Sequence, residues 1–285
     1  MRIYNERIFV SLEFCHIRKL GSLGNQVLTF TNTAATYLNR NIYLVVQSSN
    51  VIKVYLADKP FTIQNDIVVK EMIGPMDIVA CSTYKCCYVA DTFGIWRVKI
   101  YTPTEQKEQL QQNIIRWLKN QTLLSLSIAS NGNLLATQAE SLNMYNCNGE
   151  PVYEIPLTKD NIKGVIHATE TSTGTLIVCQ TDRKDAKRQL ISEITRDGQF
   201  LRSYGGTRED VYGPRYAVQD FDRDRLFVSD YFNHRVLLFD GKLRLQRVLV
   251  EDDDDWFQNL CYSKESSLLL ISSAYGVVEV YRVSP

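Results

Sequence analysis

The feature that most constrains the fold of this 285-residue chain is a six-fold internal repeat. Each unit runs through an apolar stretch, a polar turn, a second apolar stretch, another turn and a third apolar stretch. The middle stretches begin 45, 47, 42, 50 and 42 residues apart. A period of this length indicates a repeat architecture, in which each unit buries its apolar faces against its neighbours. The middle stretches are Ile42–Val45, Cys87–Ala90, Leu134–Thr137, Leu176–Cys179, Leu226–Ser229 and Leu268–Ile271.

Turn residues divide the units further. Stretches such as 130–133 and 222–225 precede middle stretches and are rich in Asn, Asp and Gly, which tolerate tight-turn backbone angles. A later turn, such as 196–198, is followed by an outer apolar stretch at 199–204. Each unit therefore predicts four antiparallel strands, the size of a propeller blade. We expect residues 1–285 to form a single all-β domain, a six-bladed β-propeller of four-stranded antiparallel blades.

The two ends of the chain complement each other in this scheme. The sixth unit ends after its third stretch, at 276–283, and lacks an outer strand. Near the other end, Phe14–Leu20 is a strand-like stretch followed by Gly21. We expect Phe14–Leu20 to pair beside Val277–Val283 and close the ring, because closure removes two exposed sheet edges.

The fifth unit carries the most specific motif. Residues 213–220 are followed by Leu226–Ser229 and then by Asp-Tyr-Phe-Asn-His-Arg at 230–235. This unit resembles an NHL repeat, and the second unit, at 88–98, resembles one too. The resemblance, which extends to the C-terminal propellers of tripartite-motif proteins, implies six blades and recognition of protein or RNA. It also implies a structural ion pair between Asp230 and Arg235.

Composition narrows the functional classes. Thirty-two Lys and Arg residues balance thirty-two Asp and Glu residues, which excludes a global polycation that binds nucleic acid or membrane surfaces. No apolar run approaches the roughly 20 residues that span a bilayer. The first seven residues include charges and never become the apolar core of a signal peptide. With seven cysteines expected to be reduced and buried, the sequence predicts a cytoplasmic protein.

Catalytic motifs were not found in the sequence. Metal-dependent propeller enzymes need several converging acidic and amide oxygens, and the predicted axial positions show no repeated carboxylate. His16, His167 and His234 fall in different units at positions that do not correspond. No nucleophile elbow, phosphate loop or dinucleotide fingerprint is present. The sequence therefore predicts no catalytic residue, no metal, no cofactor and no enzymatic activity; a metal-dependent propeller hydrolase is the least favoured alternative.

The remaining interpretation is a binding platform. A rigid ring that presents variable loops on one rim suits a protein or peptide ligand, and single-stranded RNA is the alternative. The charged loops at 156–164, 181–188, 205–215 and 251–258 are all expected on the rim that also carries the turns between second and third strands. The predicted ligand-binding residues on this rim are Arg183, Lys184, Lys187, Arg188, Arg215, Tyr216, Tyr231 and Arg235.

Overall fold

The computed structural model describes residues 3–9, 33–57, 63–64, 66–101, 114–119, 121–157, 162, 164–181 and 189–283. Within these ranges the strands form six four-stranded antiparallel sheets, as the repeat predicts. Each predicted middle stretch is the second strand of its blade. None of the helices in the described part of the chain is long and apolar enough to cross a membrane.

The blades follow one another along the chain. Blade 1 is β2 Thr33–Leu38, β3 Asn41–Val46, β4 Val51–Leu56 and β5 Ile67–Val68, and blade 2 is β6 Asp77–Cys81, β7 Cys86–Asp91, β8 Gly94–Lys99 and β9 Ile114–Lys119. Blade 3 is β10 Ser125–Ile128, β11 Leu134–Thr137, β12 Ser141–Tyr145 and β13 Pro151–Pro156, and blade 4 is β14 Val165–Glu170, β15 Leu176–Gln180, β16 Leu190–Ile194 and β17 Phe200–Gly205. Blade 5 is β18 Pro214–Asp220, β19 Arg225–Asp230, β20 Arg235–Asp240 and β21 Leu245–Glu251, and blade 6 is β22 Phe257–Ser263, β23 Leu268–Ser273, β24 Val277–Val283 and β1 Ile3–Phe9.

The ring is closed by an N-terminal strand, but not by the one that the sequence pattern suggested. β1 pairs antiparallel with β24, from Ile3 opposite Val283 to Phe9 opposite Val277. The prediction that Phe14–Leu20 fills this position is therefore wrong, and Phe14–Leu20 itself lies outside the described residues. Blades 1 and 6 are also in contact with each other, because β2 of blade 1 packs against β22 of blade 6.

The core lies between the blades rather than in one central mass. Among the described residues, six buried apolar clusters each draw their side chains from two neighbouring blades. Second strands such as β7 and β15 are buried along their whole length because a blade covers each of their faces. Outer strands such as β13 and β17 consist mainly of exposed and half-buried residues. This explains why the second strands are nearly continuous apolar runs, which made the repeat readable.

The two faces of the ring differ in their loops. We call the face with the inter-blade loops and the turns between second and third strands the upper face. The opposite, lower face carries the turns between first and second strands and between third and fourth strands. First strands start at the upper face and line the axis, so residues near their beginning lie just below the upper mouth of the central channel.

Candidate active site on the propeller axis

One residue of each first strand occupies the same register position. Each pairs with a residue at or next to the end of the second strand of its own blade. Five of the six are polar, and they form a layer just below the upper mouth. We call this layer the axial ring: Ala34, Asp77, Ser125, His167, Tyr216 and Asn259.

Side chains of the axial ring meet across the axis. Tyr216 belongs to blade 5 and Asp77 to blade 2, which face each other in a six-bladed ring, and Tyr216 Oη lies 3.1 Å from Asp77 Oδ2. The same hydroxyl lies 2.8 Å from the carbonyl oxygen of Leu126 in blade 3. Asn259 of blade 6 donates from Nδ2 to Asp77 Oδ1 at 3.0 Å. The carboxyl group of Asp77 thus joins four blades at one point.

Asp77 is almost completely enclosed, with a relative exposure of 1%. Burial raises the pKa of its carboxyl group to about 6, although several hydrogen bonds act in the opposite direction. The backbone N–H groups of Leu126 and Ile78 donate to it at 2.7 and 2.9 Å, in addition to the side chains of Tyr216 and Asn259. A carboxyl group with this pKa changes its protonation state close to neutral pH.

His167 lies against Tyr216. The two rings stack with their centroids 3.6 Å apart and their planes inclined by 20°. Burial lowers the pKa of His167 to about 3, so its imidazole is neutral. The backbone oxygen of Ala217, 2.9 Å from Nε2, can only accept, which places the hydrogen on Nε2. Nδ1 lies 2.9 Å from the hydroxyl of Ser125, whose single hydrogen is also within reach of the backbone oxygen of Ile166 at 3.0 Å, and the imidazole packs flat against the phenol.

Irregularities in three first strands bring these side chains to the axis. The pairing of β14, β18 and β22 shifts by one residue after Val165, Pro214 and Phe257. Such a bulge inserts one residue and changes which face the following side chains occupy. It places His167, Tyr216 and Asn259 at the same level as Asp77 and Ser125. Sequence reasoning missed this ring because strict alternation along each strand puts these residues on another face.

The predicted rim residues are distributed over several environments. The guanidinium of Arg215, at the upper end of β18, lies 5.0 Å from the ring centroid of Tyr231. Tyr231 is 7% exposed and packs edge-on against Trp256 at 5.1 Å. Tyr216, at 4% exposure, belongs to the axial ring and not to the rim. The four basic residues Arg183, Lys184, Lys187 and Arg188 lie outside the described residues.

Asp230 and Arg235 form the ion pair that the repeat motif implies. Arg235 Nε lies 2.8 Å from Asp230 Oδ2, and the Asp230 side chain is fully buried. Burial raises the pKa of Asp230 despite its bonds with Asn233, Arg235 and the N–H of Tyr212. In blade 2 the corresponding Asp91 is held by Arg116 of the outer strand β9, at 2.8 Å. The same anchor is therefore made with an arginine from a different strand.

We expect Arg235→Ala to lower the free energy of unfolding by about 3–5 kcal/mol, because it leaves a buried carboxylate without its cation. Urea unfolding followed by circular dichroism measures the change. Arg244→Ala is the matched control, because Arg244 pairs with Asp240 but its side chain is 70% exposed, and it should change stability little. Equal losses in the two variants would contradict a special role for the Asp230–Arg235 pair.

In the part of the chain that the structure describes, no group of three or more His, Cys, Asp and Glu side chains is arranged to hold a metal ion. The polar atoms of the axial ring instead bond to one another and to backbone groups. What this site can do with its own residues is hold one proton between a carboxyl group and a phenol.

Comparisons with known proteins identify the fold. No protein-family model matches the chain, and no curated protein sequence matches it. Among solved structures, the match with a streptogramin B lyase covers 98% of this chain and 97% of the lyase chain, with a TM-score of 0.63 and 11% sequence identity. The match with virginiamycin B lyase from Staphylococcus aureus covers 99% of this chain and 100% of the lyase chain, with a TM-score of 0.63 and 8% sequence identity. The match with the propeller domain of Cps50 from Myceliophteria thermophila covers 89% of this chain and 83% of that domain, with a TM-score of 0.58 and 13% sequence identity.

These neighbours correct the functional prediction. The non-catalytic binding platform, with RNA binding as its alternative, and the absence of enzymatic activity are contradicted by propellers of the same architecture that are lyases. One of them is catalytically inactive after a histidine-to-alanine substitution. At these identities the likeness shows that this chain is a six-bladed β-propeller, and an activity must be argued from its own residues.

Proposed function

We propose that this chain is an enzyme of the lyase type that carries out acid–base chemistry at the axial ring. The observation that carries the proposal is the contact between Tyr216 Oη and Asp77 Oδ2, 3.1 Å apart across the axis. It supports a proton-transfer site because two ionisable groups from opposite blades share one position from which solvent is largely excluded. Acid–base enzymes place such groups within hydrogen-bond reach of each other and of the substrate.

The number of hydrogens available at the contact between Tyr216 and Asp77 favours a proton that can move between the two side chains. Tyr216 has one hydroxyl hydrogen, but both Asp77 and the carbonyl oxygen of Leu126 are within reach of it. When Asp77 is ionised, it accepts the hydrogen of Tyr216. When Asp77 is protonated, it donates to Tyr216 Oη, which then donates to Leu126 O. The pair can therefore gain or lose a proton without moving its heavy atoms. Burial raises the pKa of Asp77 to about 6 and that of Tyr216 well above its ordinary value, so the proton that the pair exchanges near neutrality is the one on Asp77.

An elimination uses both members of the pair. The carboxylate of Asp77 takes the proton from the carbon next to an activating carbonyl, and the bond to the leaving oxygen breaks. Tyr216 gives its hydrogen to that oxygen, and the proton on Asp77 then passes across the 3.1 Å contact to restore the phenol. His167 acts as a positioning residue through its stack on Tyr216. The fold's likeness to lyases supports elimination over other acid–base reactions.

Access to the pair comes from the upper mouth. Asn259, which bonds to Asp77, retains partial exposure, as do the bulge residues Ile166 and Arg215 above the ring. The reacting atoms of a substrate must therefore enter the channel from this side, between blades 4, 5 and 6. The adjoining loops at 206–213 and 252–256 would contact the rest of a larger substrate.

Two finer assignments accompany this proposal. We infer that blades 2 and 5 are NHL-like repeats, which the buried carboxylate–arginine anchors at Asp91 and Asp230 support. We also infer a cytoplasmic location, because the six cysteines of the described ranges are all free thiols.

The test is turnover by the purified chain and by variants of the pair. One probe is quinupristin, with which the inactive lyase variant was crystallised. The others are a panel of β-acyloxy carbonyl compounds, which combine an acidic hydrogen with an oxygen leaving group. We expect mass spectrometry to detect the unsaturated product. Asp77→Asn and Tyr216→Phe should each lower kcat by about 10²–10⁴-fold.

Asp91→Asn is the matched control for these variants. It removes another buried carboxylate of blade 2, at the upper face but away from the axial ring, and bonded to Arg116. It should lower stability while kcat per folded molecule stays unchanged. Absence of product from every probe with the wild type, or equal turnover in the Asp77 and Tyr216 variants, would contradict the proposal.

A further inference from the structure

A pair of thiols lies at the lower end of blade 2, remote from the axial ring. Cys81 ends β6 and Cys86 begins β7, and the two residues are direct partners in the antiparallel pairing. Directly opposed residues in such strands have Cα atoms about 4.5–5.5 Å apart, which is within the range that a disulfide spans. The turn 82–85 closes the hairpin beside them with a hydrogen bond from Lys85 N to Ser82 O.

A small pocket leads to this pair from the lower face. It has a volume of about 260 Å³ and lies between blades 2 and 3, with Cys86 as part of its wall. Arg97 and Lys99 of β8 also line it, as does Cys147 in the turn after β12. Arg97 donates to the backbone oxygen of Cys147 at 2.8 Å, which fixes its guanidinium at the pocket. The pocket thus combines a thiol wall with two cationic side chains.

The two thiols differ in their pKa values. Their shared hydrogen bond lowers the pKa of Cys81 to about 7 and raises that of Cys86. The thiolate character therefore lies on Cys81, and the thiol of Cys86, on the pocket wall, can pass its hydrogen to the Cys81 sulfur when it attacks a ligand. Cys87 provides a contrast, because it faces the other side of β7, where complete burial raises its pKa. Thiolate character at one cysteine and a neighbouring second thiol are the properties of reactive dithiols.

We propose that this pocket is a dithiol site that reacts with small anionic disulfides and closes a disulfide between Cys81 and Cys86. Arg97 and Lys99 attract the anionic part of the ligand, and the size of the pocket limits it to a small molecule. Cys86 is the attacking thiol, because it lines the pocket, and its strand-pairing partner Cys81 is the resolving thiol.

The proposed thiol–disulfide exchange takes place in two steps. The Cys86 thiolate attacks one sulfur of the ligand disulfide, so that a Cys86–ligand disulfide forms and the first ligand thiolate leaves. The Cys81 thiolate then attacks Cys86 Sγ, the Cys81–Cys86 bond forms, and the second ligand thiolate leaves. The two leaving thiolates take up the two protons lost by the cysteines. The protein is oxidised by two electrons and the ligand disulfide is reduced to two thiols.

The experiment treats the folded chain with glutathione disulfide as the probe and digests it with trypsin after alkylation of free thiols. Cleavage after Lys85 separates peptide 71–85 from peptide 86–97. We expect these two peptides to become cross-linked in the wild type and in Cys87→Ser, but not in Cys86→Ser. In Cys81→Ser the reaction should stop at a mixed disulfide on Cys86, detected by the added mass of one glutathione.

Charge variants test the cationic part of the site. Lys99→Glu should slow the reaction with glutathione disulfide at least about threefold, while the reaction with uncharged bis(2-hydroxyethyl) disulfide changes little. Lys70→Glu makes the same charge change on an exposed lysine at the upper face and should leave both rates as in the wild type. A cross-link to the peptide that contains Cys147, labelling of all cysteines at equal rates, or no reaction of the folded chain would overturn the proposal.

Discussion

Removal of residues 1–9 is expected to open the sixth blade and to cause the largest loss of stability of any change considered for this protein. β24 would lose its whole partner strand, which pairs with it over seven residues from Ile3 to Phe9. At about 1 kcal/mol net for each lost hydrogen bond, the loss is on the order of 5 kcal/mol, a large part of the stability of an ordinary domain. Urea unfolding of the truncated chain measures it.

The chain that lacks residues 1–9 allows two further measurements. A synthetic peptide of residues 1–9 should restore the unfolding midpoint in trans, because strand addition to an open edge reforms the same pairing. Without the peptide, the exposed edge of β24 should promote self-association, visible as a concentration-dependent mass in light scattering. An unchanged unfolding midpoint after truncation would show that β1 does not hold the ring closed.

The second large effect concerns the pH dependence of stability, where Asp77 and His167 act in opposite directions. Burial raises the pKa of Asp77 to about 6, so the folded state binds its proton more tightly than the unfolded state does, and stability falls as pH rises from about 4 to 6. Burial lowers the pKa of His167 to about 3, so the unfolded state binds more protons between about 3 and 6.5, and stability rises with pH there. Across pH 4–6 the two slopes nearly cancel.

Single substitutions should uncover each slope. Relative to the wild type, Asp77→Asn should gain roughly 1.4 kcal/mol of unfolding free energy for each unit of pH increase between about 4 and 6, because only His167 then contributes. His167→Phe, which keeps a ring against Tyr216, should lose a similar amount over the same window. The measurement is urea unfolding at several pH values, with differences from the wild type taken at each pH so that other titrating groups cancel. Parallel pH profiles for the three proteins would contradict these burial-induced pKa shifts.

The blades were predictable because each second strand is buried on both faces. Runs such as Cys87–Ala90 and Leu268–Ile271 are apolar without interruption, and the spacing of such runs gives the blade period directly. The closing strand was not predictable in the same way. Ile3–Phe9 and Phe14–Leu20 are both short segments that mix apolar and polar residues, and the choice between them depends on pairing with residues more than 250 positions away.

The axial ring was hidden for two physical reasons. Its members come from separate blades, so no local motif contains more than one of them. In blades 4, 5 and 6 a bulge precedes the ring residue, and a shift of one residue moves every following side chain to the other face of a strand. His167 was noticed in the sequence, but its equivalence with Asp77 and Tyr216 appears only once these bulges are known. Motifs along the chain therefore could not bring these residues together, and the sequence predicted no catalytic residue.

The pairing of β1 with β24 also has a consequence for how the protein is made. Ile3 is synthesised first among the described residues, and its partner Val283 is synthesised last among them. At about 5–20 residues per second, the early strand waits on the order of tens of seconds for its partner. During that time blades 1 to 5 can form, but the ring must remain an open arc with an unpaired edge at each end. For this fold, the ring can close only after the last of the described strands has been synthesised.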